Sequence, residues 1–589
     1  MLKVTFDNHK TVTVPEGTML IHAVRMAGLS IDAPCGGHGK CGKCSVSVLN
    51  GKNPGLHPSC RFPVTEDLLV SVPDTASKNR ILESGDSTAV HSGEHVAVID
   101  KNDSLVKSID ARIPSCAIGE AFSDSQCVKQ VLGSQVKIPL PVASNLHRTL
   151  TDLDRQGNFV VCLDRLLSVR SYRTPCYVLA FDIGTTTIVS YLLDAETDRQ
   201  VSVSSMLNPQ TAYGADVISR CEYDTSHDGK ELTALVRSAV QSLAVQNAKK
   251  AGITTEDIYF ASIVGNTCMQ HLYLGVSPES LICAPYTAAV DELQLLPASE
   301  LGLSLHPLAQ AAVFPSIAGF VGGDTVAVLL SLPADTFREL TLILDIGTNG
   351  ELVLAKGDLR YTCSTAAGPA FEGARISCGM RGAEGAIDHA KVENGRLVLS
   401  TIGNVPPVGI CGSGLIDLIC CLLEMGILSS RGRIEKTSKW PAAVSALYGH
   451  RVTQRDGVTA FLLTDEETGI YLTQKDIREV QLAKSAIAAG IVSLCETMGV
   501  SPLDIRSVLL AGAFGSYLSP ESACRIGLIP KELLGKIRGI GNAAGEGAKL
   551  AALSRSVLES SITLAENTRF VELATLPSFQ NTYLSHLNF

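Results

Sequence analysis

Four thiols near the amino terminus have types and spacing that could do chemistry. Cys35, Cys41 and Cys44 lie in the loop APCGGHGKCGKC and Cys60 follows, giving C-x5-C-x2-C-x15-C. Thiolates so spaced hold iron–sulfur clusters, and the backbone around them must come close to the cluster. Gly36, Gly37, Gly39 and Gly42 permit that approach because they carry no Cβ. Zinc is the competing occupant, but four-cysteine zinc sites usually show two C-x-x-C knuckles, and only Cys41–Cys44 is one here. The same glycines mimic G-x-G-x-x-G and the body of a P-loop. Both motifs need a strand before and a helix after the turn. The flanking residues predict neither, and Cys44 stands where a P-loop needs Ser or Thr.

A second constellation lies far downstream. Tyr177–Thr187 (YVLAFDIGTTT) recurs as Leu340–Gly350 (LTLILDIGTNG), each an apolar strand, a D-I-G-T turn and the start of a further strand. The tips carry Gly184, Thr185 and Thr186 in one copy and Gly347, Thr348 and Asn349 in the other. Such residues can aim N–H and O–H donors at phosphate oxygens. Asp182 and Asp345 beside them can hold Mg2+, often through waters. One D-I-G-T is no more than a hairpin turn, whereas two with matched flanks predict a duplicated nucleotide clamp. Gly512 and Gly515, in Val508–Ser516 (VLLAGAFGS), follow an apolar strand and would let backbone lie against a base and ribose. Gly265–Thr267 (GNT) and Gly541–Gly547 (GNAAGEG) are expected to begin two helices that cross closely between lobes. Ala318–Asp324, Ala367–Ala374 and Gly409–Gly414 read as turns lining the cleft, with Asp324 and Glu372 as candidate carboxylates for a metal or a water.

The elements that must position these groups are partly legible. Alternation in Leu2–Phe6 and Thr11–Val14 predicts a hairpin. Thr18 is expected to cap a helix from Leu20 to Ala27 that stops at Gly28. Ser45–Leu49 and Arg61–Val72 predict two more strands, which makes a β-grasp order. Asp74–Val90, rich in Ser, Asp, Lys and Gly, reads as a mobile linker. Beyond it, short apolar groups such as Val96–Ile99 and Phe159–Leu163 predict a small α/β module without evident chemistry. The expected division is 1–75, a linker at 76–95, a middle α/β domain at 96–175, and a two-lobed unit at 176–589.

Composition bounds the rest. A chain of 589 residues is too long for one domain, and 45% hydrophobic residues can fill several cores. A net charge of −10 argues against nucleic acid as a partner. The start MLKVTFDNHK has no apolar h-region, and no uninterrupted apolar run is long enough for a bilayer. With 18 cysteines, this predicts a reducing, cytoplasmic setting and no membrane partner.

On these residues, 1–75 resembles a 2Fe–2S ferredoxin. The five-residue first gap is nearer the adrenodoxin-type spacing, and Ser59–Phe62 with Leu68–Val70 is similar to that family's closing strand. The resemblance implies Cys35, Cys41, Cys44 and Cys60 as ligands of a 2Fe–2S cluster. Residues 177–552 resemble the actin-like (ASKHA) superfamily, which implies ATP between two related lobes, Asp182–Thr187 and Asp345–Gly350 as phosphate loops, and Val508–Ser516 as the adenosine motif. The implied fold class is multidomain, α+β and α/β: a β-grasp ferredoxin fold, a linker, a small middle domain and a duplicated ASKHA ATPase fold.

The whole arrangement resembles the reductive activators of corrinoid-dependent enzymes, whose C-terminal domain Ala366–Ile387 and Gly409–Leu418 are similar to. That resemblance implies an ATP-hydrolysing metallo-reductase, fed by an upstream low-potential donor. It would return Co(II) to Co(I) in the corrinoid protein of a methyltransferase system, and the family implies a homodimer. No D-x-H-x-x-G corrinoid motif occurs in the chain, so the corrinoid belongs to the partner. Two alternatives stay open: another ATP-coupled low-potential electron donor, and a redox-sensing nucleotide-binding protein. The intact Asp182 and Asp345 count against the second.

Overall fold

Apolar residues at every second position set the N-terminal sheet of the computed structural model. The model describes residues 1–7, 10–29, 31, 37, 39, 44–72, 100, 102–115, 119, 122–373, 375–465 and 469–589. Cys35, Cys41, Gly36, Gly42, the expected linker Asp74–Val90 and Val96–Ile99 lie outside them. The sheet contains β1 (Leu2–Phe6), β2 (Thr11–Val14), β3 (Ser45–Val48), β4 (Gly55–Pro58) and β5 (Leu68–Ser71) in the order β2-β1-β5-β3-β4. Val4, Phe6, Val46 and Val70 bury one face against Leu20, Ile21 and Val24 of α1 (Leu20–Met26).

Two local expectations fail here. β4 is an additional strand, paired with β3 from Ser45↔Pro58 to Val48↔Gly55. Its Gly and Pro ends hide it from propensity. Thr18 does not cap α1: Met19 holds the cap position without a side-chain bond. The Thr18 carbonyl instead accepts from Val64 N–H, and Leu20 N–H donates to Phe62, so the chain enters the helix pinned to the loop before β5.

The next module packs α2 (Asp124–Leu132) and α3 (Leu140–Asp152) on a sheet of β6 (Val106–Arg112), β7 (Gln156–Cys162) and β8 (Arg165–Arg170). Its core is Val128, Leu146, Leu150, Phe159 and Leu166.

The first lobe contains β9 (Tyr177–Ile183), β10 (Thr187–Asp194), β11 (Arg199–Leu207), α4 (Val217–Ser226), α5 (Glu231–Ala251), β12 (Ile258–Gly265), α6 (Thr267–Leu274), α7 (Glu279–Ile282), β13 (Gln294–Pro297), β14 (Gln310–Val313) and α8 (Gly323–Ser331). Its sheet runs β11-β10-β9-β12-β14-β13. The second lobe has a matching sheet: β15 (Thr341–Ile346), β16 (Gly350–Lys356), β17 (Leu359–Thr365), β24 (Ser507–Ala511), β25 (Ile537–Gly539) and β26 (Thr568–Phe570), in the order β25-β24-β15-β16-β17-β26. Between β17 and β24 lie two three-stranded sheets, β18 (Ala386–Glu393) to β20 (Gly409–Ile410) and β21 (Val452–Arg455) to β23 (Tyr471–Thr473). With them come helices α9 (Gly412–Glu424), α10 (Ala442–Tyr448) and α11 (Gln474–Met498). Five more helices follow: α12 (Gly512–Tyr517), α13 (Pro520–Arg525), α14 (Ala543–Leu553), α15 (Arg555–Asn567) and α16 (Phe579–Ser585).

The duplication is visible in strand register. β9 pairs antiparallel with β10 and parallel with β12, and β15 pairs antiparallel with β16 and parallel with β24. Between the lobes, α8 crosses α14. The expected crossing helices began at Gly265 and Gly541. The second is right, but the partner of α14 begins at Gly323, because Gly265–Thr267 opens α6, which packs inside the first lobe against Leu243, Ile263 and Val313. No helix of the described residues is long and apolar enough to cross a membrane.

A Cβ at Gly547 of α14 would lie 1.9 Å from the Ala327 carbonyl oxygen of α8. Gly547→Ala therefore forces two backbones apart, and overpacking of this kind costs roughly 1–3 kcal/mol. The expected result is a clear drop in thermal midpoint. Gly535→Ala, where nothing lies within 4 Å of the added carbon, should leave the midpoint in place. Equal midpoints for both variants would show that the crossing does not depend on the missing side chain.

Candidate functional site

The two D-I-G-T turns face one cleft and are tied together by a single carboxylate. The Thr186 hydroxyl donates to Glu372 Oε2 at 2.7 Å and the Thr348 hydroxyl donates to Glu372 Oε1 at 2.9 Å. One residue of the Ala367–Ala374 stretch thus joins the first D-I-G-T turn to the second. Each loop closes on itself. Gly184 N–H donates to the Thr187 carbonyl at 3.0 Å, and Gly347 N–H to the Asn349 carbonyl at 2.9 Å. Only glycine fits at 184, since a Cβ there would lie 2.7 Å from that Thr187 oxygen.

The first loop is held from behind through its carbonyls. Asn208 Nδ2 donates to Gly184 at 2.9 Å and Asn208 N–H to Thr186 at 2.9 Å. The buried Arg220 guanidinium donates to the Thr185 carbonyl. Asn266 and Asn542 reach the same loop in a matching way. Each caps a helix with its side-chain oxygen, accepting from Met269 N–H and Gly545 N–H respectively. Each then uses its amide nitrogen on loop one, Asn266 to the Thr185 hydroxyl at 2.9 Å and Asn542 to Asp182 Oδ2 at 3.0 Å.

Asp182 and Asp345 are partly buried at the ends of β9 and β15. Burial pushes Asp182 up to about 6, against the Asn542 hydrogen bond, which favours its charged form. Asp345 is pushed up to about 7 by burial and by the charge of Asp182. Asp324, in the first turn of α8, is raised by burial and then by Asp345. Glu351, opposite Asp345 in the β15–β16 pair, is raised by burial and then by Asp324 and Asp345. Four carboxylates in one cleft are uncomfortable together, and a cation would let all of them ionise. Among the described residues no three His, Cys, Asp or Glu side chains converge closely enough to ligate a metal directly.

Gly512, at φ +80°, lies where a Cβ would meet Asp345 Oδ1 at 2.6 Å, so backbone closes on that carboxylate. The missing side chain of Gly515 faces Leu510 and lets α12 turn tightly off β24. Gly512 N–H also donates to the Gly541 carbonyl at 2.9 Å, joining the glycine turn to the start of α14.

At the N-terminal domain, Cys44 Sγ and Cys60 Sγ lie 3.2 Å apart and buried. Ser59 N–H donates to the Cys44 carbonyl at 2.9 Å and fixes the two segments together. Gly37 and Gly39 take positive φ of 93° and 72° nearby, and a Cβ on Gly37 would lie 3.8 Å from Cys60 Cβ. Adjacent thiols beside side-chain-free backbone fit an inorganic cluster. The cysteines near the nucleotide cleft do not: burial pushes the Cys363 and Cys411 thiols up, and Cys411 bonds locally to the Ile387 carbonyl at 3.3 Å.

Sequence reasoning missed Glu351, Asn208, Arg220, Asn266 and Asn542. A usable signal existed for the last two, since G-N followed by a small residue opens a helix in both places. Glu351 is the one acidic residue in β16, GELVLAK. Asn208 and Arg220 carry no motif.

Comparison with known proteins bears on the whole chain. Residues 4–69 match the 2Fe-2S iron-sulfur cluster binding domain, 177–335 the RACo middle region, and 339–589 the C-terminal ASKHA domain of RACo. The corrinoid activation enzyme RamQ of Eubacterium limosum is 33% identical over 98% of this chain and 97% of its own length. The [Co(II) methylated amine-specific corrinoid protein] reductase of Methanosarcina barkeri is 27% identical over 70% of this chain and 77% of its own. A solved structure, a reductive activator for corrinoid, iron-sulfur protein, superposes with a TM-score of 0.75 at 30% identity, covering 100% of this chain and 98% of that one. With a ferredoxin-type domain joined to an ASKHA domain and likeness over essentially its full length, the chain belongs to the family of reductive activators of corrinoid proteins.

Proposed function

We propose that this protein uses ATP to drive electron delivery to a partner corrinoid protein, returning its cobalt from Co(II) to Co(I). One observation carries the reading: two phosphate-loop threonines face each other across a carboxylate-lined cleft, in the same chain as the Cys44–Cys60 pair. Cys35 and Cys41 would complete the set that holds a 2Fe–2S cluster, which when bound supplies one electron at a time.

Asp182 and Asp345 would hold Mg2+ through waters, consistent with burial disfavouring their charged forms until a cation is near and with the lack of a close three-ligand set among the described residues. Gly184, Thr185 and Thr186 would bind phosphate from one lobe and Gly347, Thr348 and Asn349 from the other. Gly512 and Gly515 would shape the adenosine side. Glu372 occupies both threonine hydroxyls here, so an incoming phosphate must take them over. The released carboxylate then stands ready to orient the attacking water and accept its proton. The division at 1–75, 76–95, 96–175 and 176–589 accounts for these roles. A methyltransferase system, an upstream low-potential donor, a homodimer and a cytoplasmic setting complete the proposal.

Mixing the protein with a Co(II) corrinoid protein and a low-potential reductant should give the visible spectrum of Co(I) only with ATP. Co(I) appearing equally without ATP would remove the activator reading. Asp182→Ala should lose the ATP-dependent part while its cluster absorbance stays that of the wild type.

Glu372→Gln keeps the shape and removes the charge. It should bind ATP as tightly as the wild type or more tightly, yet hydrolyse it about 10²-fold or more slowly, the usual scale for losing a positioned base. Unchanged hydrolysis in this variant would exclude Glu372 from the chemistry.

A further inference from the structure

The N-terminal domain rests on the first lobe through one cation. Arg25, in the last turn of α1, donates to the Ala212 carbonyl. Its guanidinium carbon lies 4.3 Å from the Tyr213 ring centre and 5.9 Å from that of Tyr223. The two rings meet edge to face at 4.8 Å, and Tyr223 stacks on His227 at 4.0 Å. Both tyrosine hydroxyls donate to Glu231, one to each carboxylate oxygen at 2.7 Å. The box is therefore built by the lobe itself, since its internal bonds need nothing from Arg25. A preformed aromatic pair with a carboxylate behind it is what a guanidinium selects.

The contact lies on the Gly37 and Cys60 side of the N-terminal domain. A cavity of about 220 Å³ lies in the seam, with Gly37, Cys60 and His22 on one wall and Tyr213, Tyr223 and His227 on the other. An acceptor protein cannot reach Cys60 from this side while the domain is seated.

The seat is also wired to the phosphate loop. Ala212 and Tyr213 belong to the segment 208–220, whose two ends hold loop one: Asn208 bonds to Gly184 and Thr186, and Arg220 to Thr185. Arg220 Nε further donates to the Gly214 carbonyl at 2.9 Å, next to Tyr213. Asp216 in the same segment pairs with Arg375 of the second lobe at 3.6 Å.

We propose that the Tyr213–Tyr223–His227 box is the docking site of the chain's own ferredoxin domain, and that ATP in the cleft releases it through the segment 208–220. This rests on loop one being the phosphate site. When phosphate takes the Thr186 hydroxyl from Glu372, loop one and the segment bonded to it shift together, and the Ala212 carbonyl moves away from Arg25. The seated state keeps the cluster side closed, and the nucleotide-bound state opens it to the corrinoid partner. Linkage requires the reverse as well: freeing the domain must strengthen nucleotide binding by the factor by which nucleotide weakens docking.

Small-angle scattering of the full cluster-loaded chain, with and without Mg2+ and the β,γ-imido analogue of ATP, tests this. The wild type should be compact alone and expanded with the analogue. Arg25→Glu, and Tyr213→Leu from the lobe side, should be expanded in both conditions with unchanged cluster absorbance. Arg25→Glu should also bind the analogue about fivefold more tightly or better, at the lower end of ordinary coupling. Both variants scattering like the nucleotide-free wild type would overturn the docking site. Expanded variants with wild-type affinity for the analogue would overturn the link to nucleotide. A wild type that binds no analogue would instead defeat the phosphate-site reading, and the nucleotide-free scattering would still decide the docking.

Discussion

The lobes meet backbone to backbone where α14 crosses α8, and the cleft geometry depends on how close that approach is. Gly547 lies directly against the Ala327 carbonyl, and Ala543, Ala544, Ala548 and Ala551 keep the rest of the crossing thin. The Ser262 hydroxyl donates to the Ala548 carbonyl at 2.6 Å and locks β12 to the same helix. The helix starts are the working ends. Asn542, before α14, touches Asp182; Asp324, in the first turn of α8, faces Asp345. A thicker side chain in the crossing would separate those pairs as well as the helices.

That closeness creates the electrostatic character of the cleft. Burial raises Asp182, Asp324, Asp345 and Glu351, Asp182 adds to the rise of Asp345 and Asp324, and no described lysine or arginine is among the groups that act on them. Arg220 is spent on carbonyls behind loop one, and Lys549 is bonded to Glu546 at 2.6 Å and to Gln200 at 3.2 Å. A nucleotide brings further negative charge to this place. The chain can meet it with N–H groups, with the Thr186 and Thr348 hydroxyls, and with whatever cation the carboxylates gather. Glu372 accepts from both of those hydroxyls, so in this structure they already serve one anionic group.

What the sequence showed plainly was whatever repeats or alternates locally. The hairpin β1–β2, the D-I-G-T strands β9 and β15, and the strand before Gly512 are period-two or duplicated patterns, and they fold as read. Long-range placement was not legible. The helix at Gly265–Thr267 has the same G-N opening as α14, but which helix crosses α14 is decided by packing over β9 and β12, where α8 lies against it. β4 exists because β3 leaves it an edge, not because GLHP favours a strand. Glu351 gains meaning only from register opposite Asp345, and Arg25 only from a lobe nearly two hundred residues away. The ligand set of the cluster is legible the other way round, by spacing, although the structure describes only Cys44 and Cys60 of it.

The separation of the two chemistries constrains how energy can pass between them. Cys363 and Cys411 are buried with raised thiols and stand outside the C-x5-C-x2-C-x15-C set, so the proposed phosphate and cluster sites draw on different residues. On that reading ATP and electron would share conformation, not atoms. A nucleotide moves such an equilibrium only by its difference in affinity for the two states. Ordinary couplings of about 1–3 kcal/mol correspond to roughly 40–130 mV of one-electron transfer, at about 59 mV per tenfold. A gap of that size could be bridged by one linkage of the kind proposed for the segment 208–220. A larger one needs a step that does not run backwards, and on the proposed reading hydrolysis would supply it: with the phosphate that displaced Glu372 cleaved, the opened state could not return along the path by which it formed. The carboxylate between the two threonines is thus placed where binding and irreversibility meet.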